Sequence, residues 1–388
     1  MNFHHSLALI TLLRMLTISG ADMTAFLRKF IILVVVCTAP SLVLAYSLTN
    51  TLKKGSIAFG SCLQQWQRQP VWQSVIAQKP QAFVFLGDNV YSDVGPYLNA
   101  ALPGRINQAY EDLAKVEELR RFGMEKNIDV FATWDDHDYG LNDGGAEFTY
   151  QTESRAYFAD FFGLELDRIG DLDQRGIYHS RYRDIGGLRV QFLMLDTRSY
   201  RSPLKISDQK SACSPTGIIP NTDDDATILG EEQWRWLAGE FKKPADLRII
   251  ASSIQVLPTE HCFEKWANFP NERQRLFELI KSSAVSGVVI ISGDRHLAEI
   301  SKLDGALGYP LYEITASGLN SALGANSPAA KEPNVLRTSA KNVLTDNFGS
   351  IQIERGGDDA VLQFQIHNVQ GEVLDEVELL LSVLKPGA

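Results

Sequence analysis

The stretch AFVFLGDNVYSD, residues 82–93, decides the fold. Five apolar residues, Ala82 to Leu86, run without a polar break and stop at Gly87-Asp88. A run this short and continuous is the pattern of a strand buried on both faces, and it delivers a carboxylate at its end. Tyr91 follows three positions after Asp88, in a segment that otherwise reads as loop. A hydrophobic strand thus hands a carboxylate and a phenol to one spot.

The same arrangement recurs along the chain. SIAF (56–59) leads to Ser61-Cys62, and DVFAT (129–133) to Asp135-Asp136-His137-Asp138. RVQFLML (189–195) leads to Asp196-Thr197-Arg198, RIIAS (248–252) to Gln255, and GVVIIS (287–292) to Asp294-Arg295-His296. Apolar residues at helical spacing over 105–122 and 231–241, and a helix over 271–283, lie between these runs. Strands alternating with helices predict an α/β architecture. Beyond residue 345 the pattern becomes antiparallel strands with turns at Gly356-Gly357 and Gln370-Gly371. Open α/β sheets place their sites beyond the carboxyl ends of the strands. Singly, each residue has an ordinary structural reading: Asp88 as a helix cap, Cys62 as an inert buried thiol, His137 as a donor to a backbone carbonyl. Six strand ends that all carry polar, ligand-capable groups form a constellation that packing does not explain.

Composition sets the limits. The 388 residues are 45% hydrophobic and 22% charged, enough for a substantial core. A net charge of −10, with no basic run, argues against a nucleic-acid-binding patch and requires a local positive centre for any anionic substrate. From Met23 the chain reads as an export signal: Arg28-Lys29, an apolar core, then Val43-Leu44-Ala45 as a cleavage site. Residues 1–45 are expected to be a signal peptide whose true start is Met23, and 46–388 a single domain without a mature transmembrane segment; an uncleaved anchor is the alternative. The mature protein is then expected in the periplasm or secreted. Removal of Cys37 leaves three thiols, of which Cys213 and Cys262 are expected to pair, leaving Cys62 free; the alternative keeps all three reduced. No feature sets an oligomeric state.

As ligands, Cys62, Tyr91 and His296 offer thiolate, phenolate and imidazole, which suits a strongly Lewis-acidic ion, Fe³⁺ better than Zn²⁺. Asp135, Asp136, Gln255 and Asp294 offer oxygen, which favours Ca²⁺ over Mg²⁺ or Mn²⁺. Asp88 is placed to bridge the two ions. Asn89, Asn142 and Arg198 are candidates for substrate contact, with Arg198 equally able to pair with the loop carboxylates.

FGSC, GDNVY, WDDHDYG, LDTRSY, LGEEQWRWL and GDRH, in this order, resemble the alkaline phosphatase D (PhoD-like) branch of the calcineurin-like metallophosphoesterases. The resemblance runs from about Ser56 to the final strands and implies a four-layer αββα sandwich with metals at the carboxyl edges of its strands. It places Cys62 at the superfamily's first metal-binding aspartate, Asp88 at the bridging aspartate and Tyr91 at the iron-binding tyrosine of GDxxY. Asp136-His137 falls on the GNH motif, and Asp294 and His296 on the two histidines of GHxH; the middle histidine has no counterpart, and Gln255 is the best match for its place. The implied function is an exported, metal-dependent phosphoric-ester hydrolase at a dinuclear or trinuclear Fe/Ca-type site, with direct attack by a metal-bound hydroxide and His137 assisting the leaving group. A phosphodiesterase or phospholipase-type enzyme on the same site is the alternative, and a non-catalytic exported phosphate-binding protein is a third.

Overall fold

The computed structural model describes residues 52–97, 104–165, 175–209 and 216–387. The export signal, the Met23 start and Cys213 lie outside the described residues.

Expected runs form strands β1 (Lys53–Gly60), β2 (Ala82–Leu86) and β3 (Asp129–Thr133); β4 (His179–Ile185), which no apolar run marks, pairs antiparallel with the expected β5 (Leu188–Met194). A short ribbon, β6 (Lys205–Ile206) with β7 (Ile218–Ile219), precedes β8 (Leu247–Ser252), β9 (Val288–Ser292), β10 (Ala298–Leu303) and β11 (Leu311–Ala316). The chain closes on β12 (Asn347–Gly356), β13 (Asp359–Asn368) and β14 (Val373–Leu380). Helices are α1 (Val71–Ala77), α2 (Gly104–Lys115), α3 (Glu117–Phe122), α4 (Asp136–Tyr139), α5 (Gln151–Phe162), α6 (Gly230–Glu240) and α7 (Pro270–Ser282). The single helix read over 105–122 is two, because Val116 adopts extended backbone between them. The periodicity does not mark α1, α4 or α5; α4 is a single turn, held by a reciprocal Asp135–Asp138 capping box.

Two six-stranded sheets result, ordered β14-β13-β12-β1-β2-β3 and β10-β11-β9-β8-β5-β4. In the first, β1, β2 and β3 run parallel in matched register, Gly60 beside Phe85 and Leu86 beside Thr133. In the second, β5, β8, β9 and β11 run parallel, with antiparallel β4 and β10 at the edges. Period two sorts the side chains. Ile57, Phe59, Ala82, Val84 and Leu86 face the second sheet in one core with Phe192, Ile249 and Ile291. Ala58, Phe83 and Phe85 point the other way, onto Trp72 of α1, Leu113 of α2 and Phe158 of α5. Trp234 and Leu237 of α6 and Leu276 of α7 join the core on the second sheet. The architecture is an α/β, four-layer αββα sandwich with C-terminal antiparallel strands.

The parallel strands end level, and this positions the site. Cys62, Asp88, Asp135, Asp196 and Asp294 each stand two residues beyond the last residue of their strand. The sheets are tied at this edge by a Ser61–Ser317 bridge and by Thr133 Oγ1 donating to the Leu195 carbonyl at 2.6 Å.

Candidate metal centre

Local backbone geometry aims the ligands. Cys62, Asp88, Asp294 and His296 all have positive φ, of 61°, 49°, 70° and 54°. Such conformations are rare away from glycine and cluster where tertiary structure dictates the direction of a side chain. The glycines before the two aspartates are forced by close approach. A Cβ on Gly87, itself at φ 100°, would lie 2.5 Å from the Asp135 Cβ, and one on Gly293 would lie 2.4 Å from Ser61 Oγ. GD in both motifs therefore records a loop crossing over its neighbour.

Two groups of ligand atoms converge, each with its atoms within 4.8 Å of one another: Cys62, Asp88 and His296, and Asp88, Asp136 and His137. Asp88 belongs to both. Its Oδ2 accepts from the Tyr91 hydroxyl at 3.1 Å and from Cys62 Sγ at 3.5 Å. The Tyr91 oxygen lies 3.2 Å from His296 Nε2. His296 Nδ1 is committed to the Ser321 carbonyl at 2.5 Å, which turns Nε2 toward Tyr91 and fixes the tautomer a ligating imidazole needs. Burial lowers its pKa, so it stays neutral. His137 stacks on Tyr91 with ring centroids 4.3 Å apart, and its Nδ1 meets Asp93 Oδ1 at 2.5 Å.

The donor set fits cations. Asp88 Oδ1, Asp135 Oδ2 and Asp294 Oδ2 are buried without a hydrogen-bond partner, as is Asn89 Oδ1. Native proteins rarely leave such atoms unpaired. Burial raises the pKa of Asp88 and Asp294 well above the carboxylate range, and neighbouring Asp135 and Asp136 add to it at Asp294. The Cys62 thiol and Tyr91 phenol are pushed up in turn by burial and by Asp88. Neighbouring carboxylates oppose ionisation of Asp88 and Asp294, while His137 and Arg198 offset part of the charge and hold Asp136 ionised; a multivalent cation would complete the balance. Cys62, Asp88, Tyr91 and His296 would hold one ion, and Asp88, Asp136 and adjoining oxygens a second.

The remaining expected residues divide. Asn89 donates through Nδ2 to the Thr133 carbonyl, leaving Oδ1 as a donor atom for the site. Asp135 Oδ1 accepts Arg198 Nε at 2.7 Å and Ser253 Oγ at 2.6 Å. Arg198 is fully buried, and its Nη1 also donates to Glu264 at 2.6 Å. Of its two expected roles it fills carboxylate pairing, not substrate contact, because its guanidinium is enclosed by Asp135, Glu264 and the Gly144 carbonyl. Asn142 is exposed and donates through Nδ2 to Asp143 Oδ2 at 3.0 Å, and it stands outside the two converging groups. Gln255 directs its amide nitrogen to Glu299 and Thr315, toward β10 and β11, and retains only Oε1 for a metal. Asp196 is a turn residue: it accepts Trp134 Nε1, the Ile177, Arg198 and Ser199 backbone N–H groups and Ser199 Oγ. Sequence reasoning passed over Asp93, although it closes the opening stretch, and it passed over Ser317, Ser253 and Glu264, which no motif marks.

Comparison with known proteins accords with this geometry. The PhoD-like phosphatase family profile matches residues 57–364. The chain belongs to the PhoD-like phosphatase family. Alkaline phosphatase D of Bacillus subtilis (strain 168) is 25% identical over 285 residues, covering 64% of this chain and 47% of that protein. The chain thus spans about half the length of that relative. The solved structure of PhoD matches with a TM-score of 0.60 at 19% identity, over 84% of this chain and 68% of that one, and establishes the shared fold. The PhoD-like family is one of phosphoesterases, and the buried ligand set at the strand ends is what a metal-dependent member requires. Among the described residues no helix is long and apolar enough to cross a membrane.

Proposed function

We propose that the protein is an exported, metal-dependent hydrolase of phosphoric esters. The observation that carries this reading is the sharing of Asp88 by two groups of buried ligand atoms at the strand ends. Such a carboxylate suits a pair of cations spaced to hold two oxygens of one phosphoryl group. The cations would neutralise phosphate charge and lower the pKa of attacking water, which also answers the need of an acidic protein for a positive centre. Cys62, Tyr91 and His296 support Fe³⁺ at one position; Asp88, Asp136, Asp294 and Asn89 support Ca²⁺ at the other, with Mn²⁺, Mg²⁺ and Zn²⁺ as alternatives.

The chain's own groups supply the rest. His137, held cationic among Asp136, Asp88 and Asp93, protonates the leaving oxygen or binds the transferring phosphoryl group. Attack is direct, with no covalent enzyme intermediate. Monoesters and diesters both fit this chemistry. Metal-loaded protein should hydrolyse an aryl phosphate or a bis-aryl phosphate, and Asp88→Ala should abolish turnover while circular dichroism shows a folded chain. Turnover retained in Asp88→Ala would sink the shared-carboxylate mechanism.

Export is supported by residues 23–45, and residues 46–388 are taken as one domain. The Cys213–Cys262 pairing fits an oxidising compartment; Cys62 is the free thiol among the described residues, while Cys262 is engaged. Mass mapping of unreduced mature protein should give a linked Cys213–Cys262 peptide and a start at Tyr46.

A further inference from the structure

Four partly exposed apolar side chains stand on loops at the edge that carries the metal ligands. Trp66, Leu141, Phe263 and Leu323 are 39%, 39%, 41% and 46% exposed, on the loops that follow β1, β3, β8 and β11. Three of them contact a residue of the centre directly. The Trp66 ring sits edge-on to Tyr91, centroids 6.2 Å apart, and Leu141 N–H donates to the Asp136 carbonyl at 3.1 Å. Leu323 N–H donates to the His296 carbonyl at 2.9 Å. Phe263 lies under the guanidinium of Arg295, at 4.3 Å, between Asp294 and His296 in the chain. A lone exposed hydrophobic residue needs no explanation, but four on four separate loops, three tied directly to a residue of the site and Phe263 through Arg295 beside it, stand out as a group. Three arginines at the strand ends are turned inward: Arg198 and Arg201 are fully buried against Glu264, and Arg295 is paired with Glu332 at 2.8 Å.

We propose that these four side chains form a rim that selects phosphoesters whose organic group is apolar, of aryl or larger alkyl size, seated on Trp66 and Leu323 while the phosphoryl group lies at the metals. The assignment rests on the phosphoesterase reading above and adds the substrate class. Its test uses the full, metal-loaded chain and the ratio of kcat/KM for 1-naphthyl phosphate to that for glycerol 3-phosphate, compared in wild type and variants. Because a ratio is read, any common loss of folded or metal-loaded enzyme cancels. The wild type should favour the naphthyl ester partly through its better leaving group, so the change in ratio decides: Trp66→Ala should lower it by about tenfold, the scale of one aromatic contact removed from an apolar group. Leu323→Ser, on a separate and exposed loop, should lower it several-fold and serves if the Trp66 variant does not fold. A wild type that turns over both esters without preference, or variants that leave the ratio unchanged, would overturn the rim alone. A wild type that turns over neither ester would overturn the rim, and one that also leaves a bis-aryl phosphate intact would overturn the phosphoesterase reading with it.

Discussion

Asp93 and His137 meet at 2.5 Å, Oδ1 to Nδ1, joining the loop after β2 to the turn after β3. Burial works against a charged imidazole here, but Asp136, Asp88 and Asp93 outweigh it and raise the group to about 11. Removing one of the three carboxylates weakens both the charge and the orientation of the ring. Asp93→Asn should reduce kcat on an aryl phosphate by roughly tenfold, and His137→Ala by roughly a hundredfold, the usual range for a positioned acid and its support. Steady-state rates on folded variants check this; an Asp93→Asn enzyme at wild-type rate would remove the pair from the mechanism.

Tyr91 offers a test of the ion's identity. With Fe³⁺ bound, the purified protein should be violet to brown from phenolate-to-iron charge transfer. Tyr91→Phe should lose the visible band, and a strong chelator should bleach the wild type. A colourless protein with full activity would refute the ferric assignment, and metal analysis would then name the ion.

Arg198 makes a stability prediction. It pairs with Asp135 and Glu264, all three fully or almost fully buried. Arg198→Met leaves Asp135 without its cation and Glu264 with Arg201 alone, which should cost about 3–5 kcal/mol in denaturant unfolding. Lys205→Met breaks the exposed pair with Asp223 and should cost under about 1 kcal/mol. Similar losses in the two variants would contradict the difference in burial.

His179 sets an acid limit on stability. It is buried at the edge of the second sheet, with Nδ1 donating to the Ile177 carbonyl at 2.8 Å. Burial lowers its pKa to about 4 from an unfolded value near 6.5. The unfolded chain therefore takes up this proton first. The contribution of His179 is fully present above pH 6.5 and lost as pH falls toward 4, on the order of 3 kcal/mol. His179→Gln should flatten the pH dependence of Tm across that window, and an unchanged slope would assign the acid limit to other groups.

The comparison between sequence and structure turns on particular residues. Asp88 and Tyr91 were legible because a strand of five apolar residues ends at Gly87, and the chemistry follows at once. Asp93 lies in the same twelve residues yet carried no signal, since its partner His137 is 44 positions away. Glu264 is more remote still: nothing near it marks a residue that holds Arg198 and Arg201 under the site. Arg198 shows the converse limit, a strand-end cation that looks like a phosphate ligand until burial assigns it to Asp135.

Sequence alone determined β1, β2, β3, β5, β8, β9 and the C-terminal strands, because apolar runs and period two are local properties of the chain, and it determined which ligand types stand at the parallel ends; β4, β10 and β11 emerge only as partners in the second sheet. Tertiary structure decided which of those groups meet. Level strand ends, two sheets tied at Ser61–Ser317 and four residues at positive φ bring Cys62, Asp88, Tyr91, Asp136, His137 and His296 together, while Gln255, Asp196 and Asn142 face elsewhere. Hydrogen bonding and burial act through space between distant segments, so only the folded chain shows which polar groups satisfy one another and which remain open to a metal.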